Sequence, residues 1–127
     1  MSKQATKYIK LTLPQIQSKL QTLPIKWQLN SVNTPTSKPI SISTTFKFKT
    51  FEDTWAYLTK ISMRSHLAGH HPTITTTYNE VKLVLSTHDV DGVSEVDFKL
   101  AKRFSDYVLL VPGAKFDKLE HEVTKDT

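Results

Sequence analysis

The residues best suited to chemistry in this chain form a spaced series in its second half, His66-x3-His70-His71-Pro72-x5-Tyr78-x9-His88-x8-Asp97. Four of the five histidines fall within 23 residues. Histidine, with an ordinary pKa of about 6.5, both gives and takes protons close to neutrality. Several imidazoles held on rigid elements therefore suit general acid–base catalysis, in which one ring donates while another accepts.

Other chemistries fit this series less well. His66 and His70 stand at helical i, i+4 spacing, and His88 or Asp97 could complete a zinc tetrahedron. The intervening Leu67-Ala68-Gly69 places a helix end between them, however, and the Glu of a zinc-protease helix is missing. With no cysteine there is no thiolate ligand or thiol nucleophile, and no G-x-S-x-G elbow surrounds any serine. Structural roles also compete. His66 could merely close a helix, and His70-His71 could cap it against the negative end of its dipole. Asp97 stands three residues after Ser94, where a carboxylate stabilises a helix start. Tyr78 reads as the core-facing end of a strand.

The elements that must hold these residues follow from periodicity. Leu13, Ile16, Gln17, Leu20 and Leu23 predict a first helix over 12–23, with Pro14 in its first turn and Pro24 beyond it. A short strand is expected around Trp27, then a polar loop over 30–39. Ile40, Ile42, Thr44, Phe46 and Phe48 alternate as a half-buried strand. Thr50-Phe51-Glu52-Asp53 resembles a capping box, with Asp where Glu or Gln is usual. The helix it opens runs to about Leu67 with Phe51, Trp55, Leu58 and Ser62 as its inward stripe, and Gly69 ends it. Two strands follow, 73–78 and 81–87. Asp91-Gly92 makes a turn, and a last helix opens at Ser94 with Val96, Leu100, Phe104 and Tyr107/Val108 on one face.

The predicted order is α-β-β-α-β-β-α. Hairpin-type connections make this an α+β fold of two layers, a four-stranded antiparallel sheet with helices packed on one face. The other face stays bare, which suggests self-association. A two-residue turn at Asn79-Glu80 would oppose Tyr78 to Val81, Thr76 to Leu83 and Ile74 to Leu85. Extended, that register makes His71 and His88 cross-strand neighbours.

At 127 residues the chain suits one domain, with its core at about 12–110 and flexible tails at 1–11 and 113–127. No apolar run is long enough to span a membrane. The net charge of +5 is uneven: residues 1–51 hold eight lysines and no acid, and the remainder carries −3. An acid-free, Ser/Thr-rich start resembles a mitochondrial presequence, but no Arg precedes Arg64. The lysines are dispersed and no nucleic-acid motif surrounds them, so a solvated basic face is expected and nucleic acid is not an expected partner. The lack of cysteine fits a reducing, cytoplasmic setting, with mitochondria the alternative.

The spacing through His70-His71-Pro72, Tyr78-Asn79, Leu85-Ser86-Thr87-His88, Gly92 and Ser94-Glu95-x-Asp97 resembles the signature of the pterin-4a-carbinolamine dehydratases. In animals this family is also known as dimerization cofactor of a homeodomain transcription factor. Trp27, Phe46-x-Phe48 and Leu100-Ala101 extend the resemblance over about residues 12–110. The segment from Ser62 to Leu67, together with Asp89, looks most like fungal members. The resemblance implies a lyase that dehydrates a 4a-hydroxytetrahydropterin to quinonoid dihydropterin, supporting tetrahydrobiopterin recycling, with no cofactor and no metal. It implies His70, His71 and His88 as catalytic residues. Gly69, Ser86, Thr87 and Asp89 join them in holding the substrate, with His66 and Asp97 in support. A homo-oligomer, dimer or tetramer, is implied as well. The rival reading is a non-catalytic binding protein or transcriptional coactivator. Many members carry acids where His66 and Gly69 stand, so substrate affinity or pH optimum is expected to differ here.

Overall fold

The computed structural model describes residues 8–31 and 39–118. Most of the expected N-terminal tail, most of the polar loop and the end of the C-terminal tail lie outside the described residues. The elements run α1 (Leu13–Leu20), β1 (Gln28–Ser31), β2 (Pro39–Lys47), α2 (Phe51–Ala68), β3 (Thr73–Thr77), β4 (Glu80–Leu85), α3 (Glu95–Leu109) and β5 (Lys115–Phe116). A 3-10 turn covers His88–Val90. The predicted α+β order is present with one strand more than expected. The sheet is antiparallel, in the order β1-β2-β4-β3, and β5 joins β2 through Phe46↔Phe116 and Lys47↔Lys115. The segment expected to fray after Gly113 thus extends the sheet. Leu11 is also core, 6% exposed, so packing reaches past both expected boundaries.

Alternation sets the buried face. Ile42, Phe46 and Phe48 of β2 and its extension meet Val81, Leu83 and Leu85 of β4, all nearly inaccessible. Tyr57 of α2 packs edge-on to Phe46, ring centroids 5.2 Å apart, and its hydroxyl donates to Phe104 O at 3.0 Å. Trp27 Nε1 donates to Ser105 Oγ at 2.8 Å, tying β1's approach to α3. The reverse face of the sheet carries Thr73, Thr75, Thr77, Thr45 and Lys82, all exposed. Among the described residues this part of the face is bare and polar.

The inward stripe of α2 differs from the expected one. Thr54, Tyr57, Leu58, Ile61 and Ser65 are buried, whereas Phe51 and Trp55 are 48% and 47% exposed. The hydroxyls make this possible. Thr54 Oγ1 donates to Thr50 O and Ser65 Oγ to Ile61 O, so each buried polar atom is satisfied one turn back in its own helix. Phe51 instead stacks on Tyr78 at 6.3 Å and tilts against Trp55 at 6.2 Å.

The hairpin register is also corrected. Thr77 pairs with Glu80, Thr76 with Val81 and Ile74 with Leu83, so the turn is Tyr78-Asn79. Tyr78 takes φ +53 and is 63% exposed, not core. Asn79 fixes this arrangement. Its backbone carbonyl accepts from Phe48 N at 2.9 Å, and its amide Nδ2 donates to Phe48 O at 2.7 Å. The shift preserves which face each residue occupies, because it moves partners by two.

Candidate active site

Two loops deliver the histidines, and one helix start supplies the carboxylate that pairs with one of them. Helix α2 closes with Gly69 in the left-handed region, φ +65. Gly69 N donates to His66 O and His70 N to Ser65 O, the paired bonds of a Schellman motif. The capping is therefore done by backbone, and His70 is the residue that the motif fixes in place. No atom lies within 4 Å of where a Gly69 Cβ would stand, so glycine is required by backbone angle and not by space.

On the opposite side, Thr87 and Gly92 bond each other's backbones, N to O at 2.7 and 3.3 Å. That bridge closes a tight loop containing His88. Beyond it, Ser94 opens α3.

Asp97 joins these pieces. It is completely buried, and Oδ1 lies 2.6 Å from His70 Nε2. Oδ2 accepts from Thr87 Oγ1 at 2.7 Å and from Ser94 N at 3.0 Å. Ser94 Oγ lies 2.7 Å from Thr87 Oγ1. A carboxylate only accepts, and the Thr87 hydrogen is committed to it. It follows that Ser94 Oγ donates to Thr87, and that His70 donates Nε2–H to Asp97. In the neutral ring the proton-accepting nitrogen of His70 is then Nδ1. Asp97 thus both stabilises the helix start, as its position suggested, and orients an imidazole.

Gly69, His70, His71, Ser86, Thr87, His88 and Asp89 line one cavity of about 350 Å³, together with Tyr8. Every residue expected to hold substrate is therefore brought together. The His70 side chain is 11% exposed, while His71 and His88 are open to solvent. The proposed cross-strand pairing of His71 with His88 does not occur. The β3–β4 register would set position 71 against 86, and His88 has already turned into the 3-10 turn. His66 stays outside the cavity wall, its ring 6.2 Å from that of His71. Among the described residues no group of three or more His, Asp or Glu is placed to hold a metal ion, so the zinc alternative for His66, His70, His88 and Asp97 is not formed. Tyr8 was not foreseen. It lies in a stretch with no periodic pattern, and its ring is 6.2 Å from that of His70.

The chain is similar to known proteins over most of its length. The family model for pterin 4 alpha carbinolamine dehydratase matches residues 9–107. The chain belongs to the pterin-4a-carbinolamine dehydratase family. A relative from Saccharomyces cerevisiae, named "Putative pterin-4-alpha-carbinolamine dehydratase", is 43% identical over 91 residues, 66% of this chain and 72% of that protein. A relative of similar name from Gloeobacter violaceus is 38% identical over 92 residues, covering 72% of this chain and 95% of its own. Among solved structures, a transcriptional coactivator/pterin dehydratase from Brucella melitensis superposes with TM-score 0.68 at 28% identity, over 78% of this chain and 98% of that one. A pterin dehydratase-like RuBisCO assembly factor shares the fold at TM-score 0.50 and 21% identity, over 63% of this chain and 88% of that one.

Proposed function

We propose that this chain dehydrates a 4a-hydroxytetrahydropterin, breaking the C4a–O bond to release water and the quinonoid dihydropterin. The observation that carries this reading is the His70–Asp97 pair in the wall of a cavity that His71 and His88 also line. A 4a-hydroxyl leaves poorly unless protonated, and a ring N–H proton must be lost as it departs. His88, open to solvent, donates the proton that leaves with the hydroxyl as water. His70, its Nε2–H held on Asp97, accepts the ring proton at Nδ1. His71 holds the ring between them, with the Ser86–Asp89 loop across from it. Each proton transfer contributes about 10²–10⁴-fold. The names carried by the curated relatives support the same chemistry.

The test is stopped-flow ultraviolet absorbance on chemically prepared substrate. Wild type should dehydrate it well above the uncatalysed rate, with losses of about 10²-fold or more in His88→Ala and His70→Ala. No rate above background anywhere between about pH 5 and 9, the span in which histidine changes charge, would overturn the reading. Protein partners, as the name of the Brucella coactivator/pterin dehydratase suggests for that protein, would then become the leading alternative.

The chain further acts as a homo-oligomer in this proposal. The support is an apolar surface on α2 and the hairpin tip, where Phe51, Trp55, Met63, Leu67 and Tyr78 are all 47–76% exposed. Large exposed apolar patches commonly mark interfaces.

A further inference from the structure

Tyr8 stands where two cavities meet. It lines the histidine cavity and also a second one of about 330 Å³ shared with Ile9, Leu11, Gln15, Ser94, Glu95 and Val96. The position is anchored. Three residues on, Leu11 is buried and its N–H donates to Val93 O at 2.8 Å, and Thr12 then enters the capping box of α1. Val93 adjoins Ser94, whose N–H binds the Asp97 carboxylate that orients His70. The tyrosine and the histidine are thus both referenced to the start of α3.

The Tyr8 and His70 rings are 6.2 Å apart with planes at 47°. Both rings border the same cavity, with their planes inclined to each other and not stacked. A flat heterocycle lying against the histidines gains an aromatic contact on this side, a geometry worth more than its area alone. A cavity of about 350 Å³ is at the small end for ligand sites, enough for a bicyclic ring but not for a long substituent as well. A substituent directed past Tyr8 would reach the second cavity. The groove it would enter combines apolar Ile9, Leu11 and Val96 with Gln15, whose Oε1 is already taken by Thr12 N at 2.8 Å, leaving its NH₂ to donate.

We infer that Tyr8 is a substrate-binding and specificity-determining residue, its ring face flanking the flat heterocycle and its edge dividing the ring pocket from the groove for the substituent. The inference rests on the pterin reading of the histidine cavity. It gives this chain a binding residue from a segment that precedes its first helix.

The test is equilibrium binding of a fully aromatic, unreactive pterin, followed by quenching of the pterin's own fluorescence, in wild type, Tyr8→Phe, Tyr8→Leu and Tyr8→Ala. KM and kcat are measured alongside on the reactive substrate. Removing the ring should weaken binding about 3- to 10-fold, the size of an aromatic contact, in both Leu and Ala variants. KM should rise more than kcat falls, and Tyr8→Phe should stay within about twofold of wild type. Wild-type binding with unchanged affinity in all three variants would overturn the inference and leave the dehydratase reading intact. Equal losses in Phe and Ala would overturn it too, since the hydroxyl and not the ring face would then be responsible. A wild type that binds no pterin would sink both readings together.

Discussion

Asp97 Oδ1 meets His70 Nε2 at 2.6 Å across 27 residues of chain, joining the end of α2 to the start of α3. The carboxylate is wholly buried, with Thr87 Oγ1 and Ser94 N on its other oxygen. Asp97→Asn keeps the shape and reverses one polarity. With its amide oxygen still accepting from Thr87 and Ser94, the amide nitrogen points a hydrogen at Nε2. His70 must then place its proton on Nδ1, the nitrogen proposed to act as base. The expected outcome is a kcat loss of about 10- to 100-fold, the usual cost of removing a partner that orients a reacting imidazole. Stability should fall by about 1–3 kcal/mol, the penalty for disturbing a buried hydrogen bond. Turnover and urea unfolding of the same preparation check this; an unchanged kcat would show that the tautomer is not set by Asp97.

The histidine cluster was legible because its chemistry depends on residue type and spacing, which sequence displays directly. The strand alternation from Ile42 to Phe48 was legible for the same reason, since period two admits one reading. What sequence misplaced were choices decided by satisfied polar atoms. On α2 the aromatic residues occur on two faces, and the buried one is selected by Thr54 and Ser65, which look polar but bond back to their own helix. In the hairpin, Asn79 looks like the first residue of a turn, yet its double contact with Phe48 pulls it to the second place. The link from Asp97 to His70 had no sequence signal of its own, because an N3 acid is explained locally. Tyr8 had none at all.

The outer surface of α2 offers a test of association. Phe51 stacks on Tyr78 with ring planes at 14°, and Trp55 lies 6.2 Å from Phe51, forming an exposed aromatic group at the hairpin tip. An aromatic at the centre of an interface commonly supplies about 2 kcal/mol or more on truncation. If the proposed oligomer uses this surface, Trp55→Glu raises its dissociation constant by about 30-fold or more. Sedimentation velocity over a concentration series reads this directly. The reverse face of the sheet, lined by Thr73, Thr75 and Thr77, should tolerate Thr75→Glu without dissociation. If Trp55→Glu leaves the assembly intact while Thr75→Glu breaks it, the contact lies on the sheet.

Tyr57 makes a prediction about alkaline stability. Its phenol is buried against Phe46 and Phe48, and burial pushes its pKa well above the ordinary value of about 10. Below about pH 10 the phenol is neutral in both folded and unfolded chains, so the full stability is present. Above that, the unfolded chain releases the proton while the folded one retains it, and this single group should cost about 1.4 kcal/mol per pH unit. Tyr107 works in the opposite direction. Burial pushes its phenol up, but the hydrogen bond from Arg64 and the charges of Arg64 and Arg103 together outweigh that and lower it. Its ionisation therefore favours the fold as pH rises. Tyr57→Phe should lose about 1 kcal/mol at pH 7, because the hydroxyl's bond to Phe104 O is removed. That deficit should shrink and then reverse as pH climbs above about 10, giving crossing stability curves. Urea unfolding of both proteins at several pH values between neutrality and about pH 11 tests it, and parallel curves would mean that Tyr57 ionises in the fold as easily as out of it.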